Sequence, residues 1–424
     1  MDTSSLPLIV LHWVLALTGF FYCYLRARRI DFCSIGLLGS MLYTSAGFTG
    51  FVNVPLGVGG SMVVVELLPE TQAILSCILA TPIFSAVIFD SVSPRARLGT
   101  DVPDPAALTA LAWATVVCAF ATIATTGLDL FIVSKIEMMK SLPFYSQLWV
   151  ASATLLLAVA WVHRSRRFVL LAAVNMALIL LIGFRSPIVI ACIAIFALTF
   201  NRTSHLRFFR TRWHHALLIL LGIHLVAQFE GIRSDVLTGN LSSLVGRIYA
   251  FGNTVDLVTN SEFQGQAGIL NTVVHYNYRI QEPYLLDGII KQVTFTSVAD
   301  EGKTRSYNDF FQTDLFPDLS WGYASFFFAE GWSNAGWLGV IAYMLIYVLL
   351  MLLFSFALRV GSVYWRAGFA VMGTFACFYL HRNSLITLLS IERRSAIVLI
   401  VVALAAMLLF RARATTSTAS IRSN

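Results

Sequence analysis

The sequence predicts an all-α polytopic membrane protein with about eleven transmembrane helices and one large loop outside the membrane. Of its 424 residues, 58% are hydrophobic and only 12% are charged, about half the charged share of a soluble domain. Apolar runs longer than about 18 residues, enough to cross ~30 Å of hydrocarbon, recur along the whole chain. These runs lack the alternation of barrel strands, which favours helices. The composition excludes a water-soluble globular protein.

The hydropathy pattern divides the chain into predicted spans. The first one lacks the basic start and the small-residue cleavage site of a signal peptide, so we expect it to be retained. The Gly-rich apolar stretch at residues 51–68 leaves two alternatives open, a re-entrant segment or a twelfth span that would move the amino terminus inside. The eleven spans cover residues 6–25, 32–51, 73–90, 106–127, 144–162, 168–184, 186–200, 215–229, 333–357, 364–380 and 395–410.

Charge sets the orientation of these spans. The net charge is +7, and the basic residues, mostly Arg, cluster in short stretches between apolar runs. Cytoplasmic loops carry such an excess, so an external amino terminus places these stretches inside. No basic run resembles a nucleic-acid-binding tail, and no nucleic-acid partner is expected.

The pattern organises the chain into three regions. We expect an N-terminal helix bundle at residues 1–229, a large outer loop at 230–332, and C-terminal helices with a short cytoplasmic tail at 333–424. Most of the external chemistry should lie in or next to the loop.

The cysteines lie in or beside the spans without zinc-ligand spacing, so they are interpreted as small core residues: Cys23, Cys33, Cys77, Cys118, Cys192 and Cys377.

A single arginine, Arg185, lies between the sixth and seventh spans in the run LILLIGFRSPIVIACIAIF. Gly183 and Pro187 interrupt the helix, so the guanidinium should be held near the outer face. In a structural interpretation, Arg185 reaches lipid headgroups or pairs with a carboxylate. In a functional one, it binds two oxygens of a phosphate or diphosphate at once.

Two further polar pairs border the large loop. Glu230 and Arg233 are three residues apart at the loop's beginning, where a salt bridge explains them as well as a binding role does. Glu330 and Asn334 lie four residues apart at its end, on one face of a helix. In the structural interpretation, Ser333 or Asn334 caps the start of the following helix, and the Glu330 carboxylate lies at its positive end. Their functional interpretation is proton transfer by Glu330 beside a bound lipid headgroup.

The stretch LHRNSLITLLSIERRSA is predicted to join the last two spans as a short, highly charged outer loop. His381 within it suits a general base or an anion donor, although a lone interfacial His is more often structural. Aromatic residues of the large loop suit either stacking on sugars or anchoring at the membrane interface. They are Tyr249, Tyr276, Tyr278, Tyr284, Tyr307, Trp321 and Tyr323.

Several kinds of chemistry have no support in the sequence. It contains no DxD pair, HExxH, Walker loop, GxSxG elbow or dinucleotide fingerprint, so neither a metal nor another cofactor is expected. Arginines, carboxylates and one His at the outer face instead suit a lipid-anchored diphosphate. A sugar on such a carrier is already activated, so cations for the leaving group and one base suffice.

Three pieces in this order resemble the oligosaccharide repeat-unit polymerases, the Wzy-type O-antigen polymerases of bacterial envelopes. They are the GFRSP turn at Arg185, the long loop opening with Glu230 and Arg233, and the segment AEGWSNAGWLG. The resemblance covers roughly the second half of the chain. It implies a GT-C-like, metal-independent glycosyltransferase of the bacterial inner membrane. Its active site would face the periplasm, act on undecaprenyl-diphosphate-linked glycans, and work with a chain-length regulator protein.

The resemblance also implies roles for individual residues. Arg185 and Arg233 correspond to diphosphate ligands, and Glu330 and Asn334 to groups that handle the acceptor. The pair His381 and Arg382 is a looser match that is also similar to O-antigen ligases. The predicted site is thus catalytic at Glu330, His381 and Arg233, binds diphosphate at Arg185, Arg233 and Arg382, and binds glycan at Asn334, Glu230, Tyr249 and Trp321.

Three functions remain open at this point. A polymerase would add the growing chain to the next lipid-linked repeat unit, whereas a ligase would transfer it to lipid A-core. A transporter would use an Arg-lined interior to move the anionic lipid. The base also stays open, because the first half offers only Glu66 and Glu70 where dolichol-type GT-C enzymes use an outer Asp.

Overall fold

A computed structural model gives the protein's architecture. It describes residues 5–26, 30–56, 61–92, 104–131, 142–201, 262–294, 305–317, 324–359 and 361–421, with 224, 228, 235, 240, 242–243, 245–246 and 319. The eighth predicted span, 215–229, lies almost wholly outside these residues, as do Glu230, Arg233, Tyr249, Trp321 and Tyr323. The division into three regions stays a prediction.

The described part of the chain is mostly helical, as predicted. One antiparallel hairpin interrupts the helices, formed by β1 (Phe51–Leu56) and β2 (Ser61–Glu66). The helices are α1 (Leu6–Phe20), α2 (Phe32–Tyr43), α3 (Pro69–Val92), α4 (Pro105–Thr126), α5 (Phe144–Val162), α6 (Arg166–Leu181), α7 (Ser186–Phe200), α8 (Glu262–His275), α9 (Tyr284–Val293), α10 (Tyr307–Leu315), α11 (Phe327–Ala357), α12 (Val363–Cys377) and α13 (Leu385–Ile421).

Among the described helices, five are long and apolar enough to cross a membrane. They are α1 with its π-helical extension to Leu25, then α3, α4, α5 and α11. The shorter apolar helices α2 and α7 also coincide with predicted spans. The membrane-protein class is therefore confirmed, and the number of spans stays a prediction.

Local sequence explains where helices begin and end. The Asp31 side chain accepts from the backbone N–H of Ser34 at 3.0 Å and starts α2. Asp104 caps α4 in the same way, with Pro105 as the first helical residue. Gly127 follows α4 with a φ of 74°, a conformation that glycine adopts without strain.

The second predicted span is much shorter than expected. Helix α2 has 12 residues and a rise of about 18 Å, less than the ~30 Å of a bilayer core. Residues 51–56 and 61–66 then form the two strands of the hairpin in place of a twelfth helix. Asn53 in the hairpin donates to Gln264 of α8 at 2.9 Å, so part of the predicted loop packs on it.

Long-range contacts define the two ends of the bundle. At one end, the backbone N–H of Ile30 donates to the carbonyl of Phe200 at 3.0 Å, and that of Phe32 donates to Ser355 Oγ at 3.1 Å. The starts of α2 and the ends of α7 and α11 therefore meet there. The other end, which we call the hairpin end, carries β1 and β2, the starts of α3, α7 and α13, and the end of α12.

Small residues let helices approach closely in this core. In α7, Ala191, Ala194 and Ala197 are fully buried at three-residue spacing, and the helix packs on α12, where Ala367 and Ala370 are also fully buried.

The cysteines divide between two environments. Cys23, Cys33 and Cys377 are buried as expected, Cys118 is half-buried, and Cys77 and Cys192 are exposed, which corrects their interpretation as core residues.

Helix α11 contains a sharp reversal that the hydropathy pattern does not reveal. Ala335 (φ −152°, ψ 25°) and Gly336 (φ 60°, ψ −137°) leave helical geometry. The rings of Phe327 and Tyr343 then lie 4.5 Å apart, whereas sixteen residues of straight helix would separate them by about 24 Å. Residues 327–334 therefore fold back along the start of the long apolar helix, which begins after the reversal.

Candidate functional site

The folded-back helix buries Glu330 at the hairpin end. Its side chain is fully buried, and Oε1 accepts a hydrogen bond from Tyr284 Oη at 2.8 Å. Oε2 accepts from the backbone N–H of Leu385 at 2.7 Å. Leu385 begins α13, so the carboxylate lies at the positive end of that helix. Glu330 thus caps a helix that begins 55 residues further along the chain, and not the helix that follows it directly, which its structural interpretation had placed beside it.

Asn334 lies beside Glu330, as their four-residue spacing predicted. Its amide donates to the Glu330 carbonyl at 2.8 Å and to Tyr284 Oη at 3.4 Å. The Tyr284 hydroxyl therefore connects the two side chains. Because the reversal follows at once, Asn334 ends the folded-back helix and does not begin a span.

Several residues that the sequence analysis did not select complete this cluster. Arg279, an exposed side chain, donates to the carbonyl of Trp332 at 2.8 Å and lies over the Trp332 ring, 4.8 Å from its centroid. Tyr307 Oη and Ser333 Oγ are 2.9 Å apart. The segment around Arg279 is polar and aromatic in sequence, but only the tertiary structure shows that it contacts residues 330–334.

Burial changes the chemistry of the loop tyrosines. Tyr284 and Tyr307 are almost fully buried, so their rings do not present a face on which a sugar could stack. Burial raises the pKa of the Tyr284 hydroxyl well above its usual range, and the neighbouring Glu330 carboxylate adds to the rise. Tyr284 thus stays protonated at neutral pH and acts as a donor. Tyr276 is exposed and Tyr278 is half-buried, which leaves their rings accessible.

His381 lies in the short turn between α12 and α13 and is fully buried. Its Nδ1 is 3.2 Å from the Phe378 carbonyl, and its Nε2 is 3.2 Å from Ser40 Oγ. A carbonyl only accepts, so Nδ1 carries the proton and Nε2 accepts from Ser40. The ring stacks on Tyr43 with centroids 5.3 Å apart. These contacts favour the structural interpretation of His381, and its catalytic role stays a prediction.

The two described arginines of the predicted site lie at the hairpin end on different helices. Arg185 is half-buried and precedes α7, two residues after Gly183, whose φ is 104°. Arg382 is half-buried in the turn after α12, with its guanidinium 5.9 Å from the Tyr379 ring centroid. Glu230, Arg233, Tyr249 and Trp321 lie outside the described residues, so their roles stay predictions.

The charged stretch after His381 differs from its prediction. It was expected to be a loop reaching to residue 395, but α13 begins at Leu385. Glu392, Arg393 and Arg394 are therefore helical, and each presents a different face of α13. Across the described residues, no group of three His, Cys, Asp or Glu side chains is placed to hold a metal ion.

Comparison with known proteins gives one match. The model of the family described as O-antigen polysaccharide polymerase Wzy matches residues 117–413, from within α4 to within α13. That range contains Arg185, Glu330, Asn334, His381 and Arg382. Neither the curated proteins nor the solved structures contain a match to the chain.

Proposed function

Because the chain belongs to the O-antigen polysaccharide polymerase Wzy family, we propose that it polymerises undecaprenyl-diphosphate-linked repeat units at the periplasmic face of the bacterial inner membrane. Membership makes it a membrane protein of polysaccharide biosynthesis with a glycosyltransferase-like polymerase role. The proposal adds the carrier lipid, the side of the membrane, transfer of the chain en bloc, independence of metal, and a chain-length regulator as partner.

One structural observation supports the details that family membership alone does not give. The hairpin end gathers Glu330, Asn334, Arg185 and Arg382, carried by α11, the start of α7 and the turn before α13. Because successive helices alternate in direction, these groups all lie at the same end of the bundle. A lipid-linked substrate presents its diphosphate at one membrane face, so cations and a carboxylate at the same end suit it.

The reaction that this arrangement supports is a displacement at an anomeric carbon. A hydroxyl of the lipid-linked repeat unit attacks the reducing-end sugar of the growing chain. The bond from that sugar to the diphosphate oxygen breaks, and undecaprenyl diphosphate leaves with the electron pair. Arg185, Arg233 and Arg382 stabilise the negative charge on the leaving group through paired N–H donors.

Glu330 receives the proton of the attacking hydroxyl in this proposal. Both its oxygens already accept from protein donors, so the hydroxyl approaches Tyr284 Oη, and the proton reaches Glu330 through Tyr284. Asn334 Nδ2, 3.4 Å from that Oη, orients the incoming glycan. Glu230, Tyr249 and Trp321 are proposed to bind the glycan further out.

Reconstitution tests the function directly. Purified protein in detergent is incubated with a lipid-diphosphate-linked repeat unit, with and without EDTA, and the products are resolved by gel and by mass. We expect a ladder spaced by one repeat unit that EDTA does not change. A ladder that EDTA abolishes would contradict metal independence.

Two controls separate the other functions. Lipid A-core is added in a parallel reaction, and capping of lipid A-core without a ladder would identify a ligase. Protein in vesicles is assayed for movement of the lipid-linked unit across the bilayer, and movement without transfer in either reaction would identify a transporter. Either outcome would overturn the polymerase proposal.

A further inference from the structure

A cavity of about 260 Å³ lies among five described helices at the hairpin end. It is lined by the end of α4, by the beginnings of α5, α7 and α13, and by the second half of α12. Most of its lining is apolar, with Trp149, Ile182 and Phe375 among the larger side chains. Glu330, Asn334 and Tyr284, which we call the Glu330 cluster, do not line the cavity.

The polar part of the lining is positively biased. Arg394 of α13 lines the cavity beside Ser395, and Ser186 opens the first turn of α7 onto it. The amino end of a helix offers unpaired backbone N–H groups and a partial positive charge, which favour an anion. A cation and the amino end of a helix therefore both line the cavity.

Gln147 adds an independent sign that a ligand belongs here. It lines the cavity, and its buried Oε1 has no hydrogen-bond partner among the described residues. A buried polar atom without a partner requires an explanation, because nearly all such atoms are satisfied. A water or hydroxyl that accompanies an anion would supply the missing donor.

The position of Arg394 on its helix separates this cavity from the Glu330 cluster. Nine residues separate Leu385, which binds Glu330, from Arg394, and nine residues of helix turn through about 180° with a rise of about 13.5 Å. The backbone N–H that Glu330 binds points along the axis at the start of α13, so the rise of about 13.5 Å places Arg394 well beyond the Glu330 cluster. Arg185 is nearer, because its neighbours Phe184 and Ser186 both line the cavity.

We propose that this cavity binds the phosphate end of a lipid, with the phosphate on Arg394 and the start of α7 and the first carbons of the chain against Trp149 and Phe375. An apolar cavity with one cationic wall suits an anion attached to a hydrocarbon chain. Two lipids share this chemistry, a polyprenyl diphosphate and an anionic glycerophospholipid. The choice of polyprenyl diphosphate rests on the proposed function, whereas the assignment of the cavity as a lipid-phosphate site does not.

Short-chain probes test the site on the full-length protein in neutral detergent. Binding of farnesyl diphosphate is measured against farnesol, which lacks the charge, and inorganic diphosphate, which lacks the chain. We expect farnesyl diphosphate to bind at least tenfold more tightly than either. Equal binding of farnesol would overturn the assignment of the cationic wall.

Variants locate the binding. Arg394→Gln should weaken farnesyl diphosphate binding by about tenfold or more, the scale of one charge-assisted hydrogen bond, and Arg394→Lys should recover part of it. Arg393→Gln is the matched control, because Arg393 donates to the Gln292 carbonyl at 3.4 Å and does not line the cavity. Wild-type affinity in Arg394→Gln, or an equal loss in Arg393→Gln, would overturn the proposal.

A second variant fills the cavity without changing its charge. Ala151→Phe, on the lining of α5, should abolish binding of farnesyl diphosphate while the thermal unfolding temperature shows that the protein still folds. Unchanged binding in a folded Ala151→Phe protein would refute the cavity as the site.

Competition identifies the lipid. Dihexanoyl phosphatidylglycerol that displaces farnesyl diphosphate at equal concentration would support the lipid-phosphate site and overturn the choice of polyprenyl diphosphate. Failure of the proposed function looks different, since the polymerisation ladder would then be absent although Arg394-dependent binding persists.

Discussion

The carboxylate of Glu330 accepts a hydrogen bond from the backbone N–H of Leu385, at 2.7 Å and across 55 residues of sequence. This contact joins the folded-back helix before the long apolar part of α11 to the first residue of α13. It connects the end of the predicted outer loop with the last helix of the bundle. The same carboxylate accepts from Tyr284 at 2.8 Å, so three elements meet at one buried group.

Replacing Glu330 separates its structural role from its chemical one. Glu330→Gln keeps an oxygen that can accept from Leu385 but cannot take a proton, so we expect normal accumulation and a polymerisation rate lowered about 100-fold or more. Glu330→Ala leaves the buried Leu385 N–H without a partner and should cost about 1–3 kcal/mol of stability. A Gln variant that polymerises at the wild-type rate would return Glu330 to a purely structural role.

Tyr284→Phe removes only the hydroxyl that connects Glu330 with Asn334. We expect a loss of about 1 kcal/mol in stability, the value of one hydrogen bond, and a larger fall in polymerisation rate than this loss explains. Tyr278→Phe is the matched control, because its hydroxyl donates to Asp314 at 2.6 Å and not to Glu330. Similar rates in the two variants would argue against proton transfer through Tyr284.

Arg185→Ala should abolish long-chain product while the protein still inserts and accumulates, because the leaving diphosphate loses a cation. Arg185→Lys should recover only part of the activity, since an ammonium cannot bond two oxygens in a planar fork. Arg167→Ala provides the comparison, because Arg167 is an exposed arginine near the start of α6, at the opposite end of the bundle. Normal chain length in Arg185→Ala would remove Arg185 from the site. Arg233→Ala is predicted to behave as Arg185→Ala does.

Gly339→Ala tests the reversal of α11. The carbonyl of Gly331 lies directly against Gly339, so even a methyl group there forces the folded-back helix away. Such crowding should cost about 1–3 kcal/mol, seen as a lower unfolding temperature and a lower yield of folded protein in detergent. Leu338→Ala changes an exposed neighbour, 76% accessible, and should leave both unchanged. Equal stability of the two variants would contradict the close approach.

His381 predicts a dependence of stability on pH. Burial lowers the pKa of its imidazole to about 4, below the ~6.5 of an unfolded chain. Between these values the unfolded state binds the proton and the folded state does not, so stability falls as the pH is lowered from 7 to 4. His381→Gln should lose less stability over that range, as measured by unfolding temperature in detergent. An identical slope in variant and wild type would show that His381 does not titrate in this way.

The class of this protein and most of its helices follow from local sequence alone. Length and polarity of a helix crossing lipid are local properties, so apolar runs predicted α1, α3, α4 and α5 closely. The spacing of Glu330 and Asn334 also predicted that they would share one face of a helix, because four residues make about one helical turn, and the Asn334 amide donates to the Glu330 backbone carbonyl. The three short motifs indicated the family.

The surroundings of those residues depend on long-range contacts that local sequence does not encode. Hydropathy assigned residues 327–332 to the outer loop and gave no sign that they form a helix that reverses at Ala335 and Gly336. It also gave no sign that Glu330 caps α13, that both His381 nitrogens face protein atoms, or that Arg394 lines a cavity beside Arg185. Each depends on a contact between segments far apart in the chain, whose partners are selected by packing and not by the local pattern.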